Sequence, residues 1–267
     1  MLHNSSRSIT PRLAPIVAAL ELREATIVSA EDIATIAGVP AKSARVRSLI
    51  HRLVGARWLA PLHVRGQYEF LPGRAGAYSR NDALDPLRAL AKSGDLPVQV
   101  ALSGAAFLRG FSDRAPVEFD ILVPHGRPVS SALRSAYHVH FINPARLFGA
   151  ADLLGVDVST RERLLVDVAL WPQTVGRSLA LRDHWLGNAL REASAGEIVS
   201  MLRRLGSARA TARAGYLAER FGRPDIADQV GYLGRSSVAV PLLPNSTTGQ
   251  RDLRFNVIDS VGAGSRS

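Results

Sequence analysis

The chain has 267 residues, 46% of them hydrophobic and 21% charged, with a formal net charge of +10. That length suits two modest globular cores, and the absence of cysteine excludes disulfides and thiolate metal centres, as befits a reducing compartment. No run approaches the roughly 18 apolar residues of a membrane span, and Met1–Thr10 is too polar for a secretory leader, so the expectation is a cytoplasmic protein with no membrane partner. Lys42 and Lys92 are the only lysines, and arginine favours bidentate contacts to phosphate and guanine. Residues 1–74 hold ten basic and five acidic side chains, net +5, whereas the much longer 75–267 carries the same excess, so positive charge is densest at the N-terminus.

Residues 1–10 are expected to form a disordered tail. Pro11 opens a helical pattern with Leu13, Ile16, Val17, Leu20 and Leu22 largely on one face. Thr26–Val28 is β-prone. Ser29 precedes Ala30-Glu31-Asp32, where it can cap a second helix while Asp32 reaches back to it. Gly38 ends that helix near Ala37, and Pro40 can begin the next. A short helix, a tight glycine turn and a longer helix make the helix-turn-helix pattern.

The third helix, about Ala41 to Ala56, buries Val46, Leu49, Ile50 and Leu53 on one stripe. The other side offers Ala44, Ser48 and His51 flanked by Arg45, Arg47 and Arg52. Small residues let such a face approach the major groove, where arginines reach base edges or phosphates. Two β-prone runs, Trp58–Val64 and Gln67–Leu71, surround Arg65-Gly66 and predict a hairpin with Arg65 over the phosphate backbone. Residues 11–74 thus predict a winged helix-turn-helix that binds double-stranded DNA. Its expected contacts are Lys42, Ser43, Arg45, Arg47, Ser48, His51, Arg52 and Arg65.

Leu71–Gly76 is rich in Pro and Gly and marks a boundary, after which 75–259 predicts a larger mixed domain. Its expected elements are a helix from Asp85, strands at Pro97–Leu102, Pro116–Val123 and Tyr137–Ile142, and a helix capped by Ser103 over Gly104–Arg109. A helical half follows, with helices from Thr160 to Leu170, Ser178–Ala193, Ala195–Leu205, Ala208–Phe221 and Pro224–Leu233. Pro241–Pro244 and Leu253–Ile258 suit extended segments, and 260–267 a disordered tail. The fold class is therefore α+β.

Three stretches, Val100–Phe111, Val158–Asp167 and Arg213–Gly222, behind a winged helix, resemble the AbiEi family of antitoxins from abortive-infection toxin–antitoxin systems. The likeness spans roughly residues 11–235, with Arg161 standing where a proline is common. It implies a repressor that binds inverted repeats in its own promoter and counteracts a nucleotidyltransferase-like toxin without a stable protein complex. It leaves the oligomeric state open.

An alternative is a Mg-dependent nucleotidyltransferase. Ser103-Gly104 would cradle a triphosphate, and Glu118 and Asp120, alternating on a strand, would hold the ion with Asp167 as a third acid. The Ser-Gly-Ala order departs from the usual Gly-Gly or Gly-Ser turn, and Asp167 falls in a helix. His138 and His140 alternate on a strand, but no clustered acid or cysteine completes a site for them in the sequence. The expectation is therefore a non-enzyme with no catalytic residues, cofactor or metal.

Overall fold

The computed structural model describes residues 7, 9–62, 64–75, 82–94, 96–181, 184–244, 246 and 248–261. The protein is mixed α+β, with twelve α-helices and three sheets among these residues. Its contacts divide into two units, one made of 1–97 and 128–135, the other of 98–127 and 136–267.

In the first unit α1 (Ala14–Leu22), β1 (Ile27–Ser29), α2 (Ala30–Ala37), α3 (Ala44–Gly55), β2 (Leu59–Pro61) and β3 (Gln67–Phe70) follow in order. α1 begins a few residues beyond Pro11, with Pro15 in its first turn. The reciprocal cap of α2 is present: Asp32 N–H donates to Ser29 Oγ at 3.1 Å, and Ser29 N–H donates to Asp32 Oδ2 at 2.8 Å. Gly38, at φ 64°, supplies the left-handed residue that ends α2. The next helix does not start at Pro40. Pro40 lies in the intervening turn, its carbonyl accepting from Ser43 N–H, and the hydroxyl of Ser43 caps α3 by accepting from Val46 N–H at 3.3 Å. Strands pair antiparallel in the order β1-β3-β2, with Val28 opposite Tyr68 and Leu59 opposite Phe70. Ile16, Leu20, Ile33, Val46, Leu53 and Phe70 are among the side chains that close the core.

α4 (Asp85–Ser93) clusters with this first unit, so the division falls after Pro97 and not at the Leu71–Gly76 run. Arg7 donates to the carbonyls of Leu71 and Pro72 and lies over the Trp58 ring. The expected tails fall mostly outside the described residues, as do His63 in the hairpin and Gly76 in the boundary run.

The second unit is built on a five-stranded sheet in the order β6-β5-β4-β8-β7. Its strands are β4 (Gln99–Ala101), β5 (Phe119–Pro124), β6 (Tyr137–Ile142), β7 (Ala150–Leu153) and β8 (Val156–Ser159). α5 (Leu102–Leu108) follows β4 directly, whereas α6 (Ser131–Ala136), which precedes β6 in the chain, clusters with the first unit in all but its last residue. The β7–β8 hairpin has no counterpart in the sequence reading, because Leu154 and Gly155 make its turn at positive φ and its strands are only four residues each.

α7 (Arg161–Leu170), capped by Thr160, packs against α5 and against α9 (Trp185–Leu190), α10 (Ala195–Leu205) and α11 (Ala208–Arg220). α12 (Pro224–Gly231) completes the helical half. The single helix expected over Ser178–Ala193 is replaced by a 3-10 turn that ends at Ala180 and by α9, and the short α8 (Pro172–Val175) lies before that stretch. Leu181 is extended, and His184 Nδ1 accepts from Leu186 N–H at 3.1 Å to start a fresh helix. Near the C-terminus β9 (Val240–Pro241), β10 (Gln250–Asp252) and β11 (Val257–Asp259) form a small sheet that packs on α11. Leu253–Asn256, expected to be extended, is a turn in which Asn256 adopts φ 58°.

Candidate nucleic-acid interface

α3 separates its faces cleanly. Val46, Ile50 and Leu53 are buried, while Lys42, just before it, and Arg45, Arg47, Ser48, His51 and Arg52 are exposed. Arg45, Ser48 and Arg52 recur at helical spacing and line one groove of about 610 Å³. Pro11 and Arg12 from the turn before α1, Ile16 from α1 and Ile36 from the end of α2 form its other walls. No side chain among Arg45, Arg47, Arg52 and Arg65 is ion-paired among the described residues. Among the described residues, therefore, their charge is not consumed by acids. Arg47 instead folds back, donating from Nη1 to the Lys42 carbonyl at 3.2 Å.

Arg65 is exposed at the β2–β3 turn, beside Gly66 at φ 74°. Ser43 is only partly exposed, and its hydroxyl is engaged in capping α3. Arg12 is a groove residue that sequence reasoning missed. It lies far along the chain from α3, and only the packing of α1 on α2 brings it alongside Arg45.

In the second unit the candidate acids do not converge. Glu118 is exposed and precedes β5, whereas Asp120 lies within the strand and is buried. Ser103 is not a cap. Leu102 takes φ 48° at the junction of β4 and α5, so Ser103 already lies inside the helix and its Oγ donates to Asp120 Oδ2 at 2.8 Å. Asp167 is fully buried on α7, accepting from Arg163 Nε and Ser159 Oγ, both at 2.7 Å. Gln99 Nε2 donates to Ser159 Oγ at 2.8 Å, which ties this network to β4. Asp120 has other company: His140 Nε2 and His138 Nδ1 lie 2.9 and 3.0 Å from its Oδ1. An acid therefore does complete the histidine pair, a convergence invisible in the sequence because β5 and β6 are separate segments.

Residues 98–220 match the family model described as the AbiEi antitoxin C-terminal domain, which bears out the resemblance over that stretch. A crystal structure of RV2827C protein from Mycobacterium tuberculosis superposes with a TM-score of 0.78 at 23% identity, covering 97% of this chain and 94% of that one. That likeness is one of fold. No curated protein matches the chain.

Proposed function

We propose, from the AbiEi antitoxin C-terminal domain that residues 98–220 match, that this chain is the antitoxin of a toxin–antitoxin operon and represses that operon by binding its promoter. The antitoxin role is what the family match points to. The repressor role is our reading of the first unit as a winged helix-turn-helix. The observation that carries it is the exposed face of α3, where Arg45, Ser48 and Arg52 share a groove with Arg12 and no acid among the described residues pairs with the arginines. Small Ser48 between two arginines leaves room for a base edge, while Arg65 on the hairpin extends the positive surface toward backbone.

In this reading α3 enters the major groove of the operon's inverted repeats, Arg45 and Arg52 contact bases or adjoining phosphates, and Lys42, Arg47 and His51 flank them. The toxin counteracted is nucleotidyltransferase-like, and no stable complex with it is required. The Mg-dependent nucleotidyltransferase reading loses its support, since Glu118 and Asp120 differ in burial and Asp167 is spent in an internal ion pair. The deciding experiment is a mobility shift with DNA from upstream of the gene, at two salt concentrations, against unrelated competitor. Specific retention that weakens with salt is expected, and equal displacement by any DNA would overturn the repressor role.

A further inference from the structure

We propose that Asp120, His138 and His140 form a binding site for one divalent transition-metal ion, zinc by preference, in the second unit. The sheet builds the site by its period of two. His138 and His140 project from the same face of β6, and β5 runs parallel beside it with Asp120 paired to His138 and Leu122 to His140. One nitrogen from each ring and one carboxylate oxygen lie within 4.8 Å of one another. Both nitrogens already sit at 2.9 and 3.0 Å from Asp120 Oδ1. Four-coordinate zinc, with ligands at about 2.0–2.2 Å, needs them roughly 3.3 Å apart, so a small outward shift of the rings admits the ion.

The surroundings orient these groups as metal ligands require. Ser103 holds Asp120 Oδ2 at 2.8 Å, which leaves Oδ1 directed at the imidazoles. The Trp171 ring packs against His140, centroids 5.1 Å apart, and fixes its plane. Asp120 and His140 are buried, but the side chain of His138 is 55% exposed. That exposure gives an ion its entry and leaves a coordination position open to water or to a ligand. Two imidazoles and one carboxylate suit zinc, cobalt or nickel, whereas magnesium and calcium take oxygen donors. The site is independent of the groove on α3 and does not rest on the repressor reading.

The test is a titration of the metal-stripped full chain with zinc by calorimetry and with cobalt by visible absorption. The expected result is one ion per chain, with the intense bands of four-coordinate cobalt that zinc abolishes. His138→Ala, at an exposed position and with its fold checked by circular dichroism, should weaken zinc binding by about 100-fold or more. Ser103→Ala, which frees only the orienting bond, should weaken it by about 10–100-fold. Absence of zinc binding, or equal affinity in wild type and His138→Ala, would overturn the proposal and leave the cluster a hydrogen-bonded carboxylate–histidine group.

Discussion

Lys92 Nζ donates to Asp32 Oδ2 at 2.7 Å, joining α4 to the first turn of α2. The same oxygen accepts from the Ser29 N–H and hydroxyl, so one carboxylate both caps a helix and fastens its neighbour. Burial alone would raise the Asp32 carboxyl, but the hydrogen bonds from Lys92 and Ser29 outweigh it and hold the group below its ordinary value of 3.8.

A depressed carboxylate stabilises the fold fully above its unfolded value and loses that contribution as pH falls through its folded one. Lys92→Met removes a partner and raises the carboxyl, so acid unfolding should begin at a higher pH than in wild type. Because the pair is partly exposed, the cost at neutral pH should stay below about 1 kcal/mol. Ser29→Ala, which removes the cap itself, should cost about 1 kcal/mol. Thermal unfolding followed between about pH 6 and pH 3 checks both. Identical acid profiles for wild type and Lys92→Met would show that the bond does not govern the carboxyl.

Arg45→Ala with Arg52→Ala should weaken binding to promoter DNA while leaving the melting temperature unchanged, because both side chains are exposed and form no ion pair among the described residues. Each lost phosphate contact should lower the slope of log affinity against log salt by about 1, and each lost base contact should cost about 1–3 kcal/mol of discrimination. Arg12→Ala should give a smaller loss of the same kind. Wild-type affinity in the folded double variant would remove α3 from the interface.

Local signals carried much of the fold. The Ser29–Asp32 cap, the Gly38 stop and the helices at Arg161–Leu170 and Ala195–Leu205 are written in neighbouring residues, where capping and periodicity act. What was not legible depends on pairing between distant segments. The β7–β8 hairpin is too short to show a period, and Leu102 and Asn256 adopt positive φ without being glycine. Ser103 has the look of a cap in sequence, yet β5 offers it Asp120. The groove's Arg12 and the meeting of Asp120 with His138 and His140 arise only from tertiary packing and strand register.

Arg163 and Asp167, one turn apart on α7, form a fully buried ion pair. The guanidinium lies 4.5 Å from the Phe148 ring, and its Nη1 and Nη2 have no hydrogen-bond partner among the described residues. Asp167→Ala should therefore cost about 3–5 kcal/mol in denaturant unfolding, because it strands a charge in the core. Replacing both, as Arg163→Met with Asp167→Leu, should recover most of that loss, since the desolvation of two charges disappears with them. A double variant no more stable than Asp167→Ala would show that the pair carries no desolvation cost to relieve.

Gly215 lies inside α11, where alanine would ordinarily stabilise a helix by about 1 kcal/mol. Here a Cβ would sit 2.2 Å from Phe255 Cε1 and 2.5 Å from its Cδ1. Phe255 is buried in the turn between β10 and β11, so its ring is the wedge that seats the small C-terminal sheet on α11. Separations that short are outside any tolerable contact, and the ring must move out of its pocket. Overpacking of this kind costs about 1–3 kcal/mol, which exceeds the propensity gain and fixes the sign. Gly215→Ala should lower the melting temperature, and Gly215→Ala with Phe255→Leu should cost less than the sum of the single changes, because the smaller side chain makes room for the methyl. A melting temperature raised by Gly215→Ala alone would mean that helix propensity governs this position and that Phe255 is not held against it.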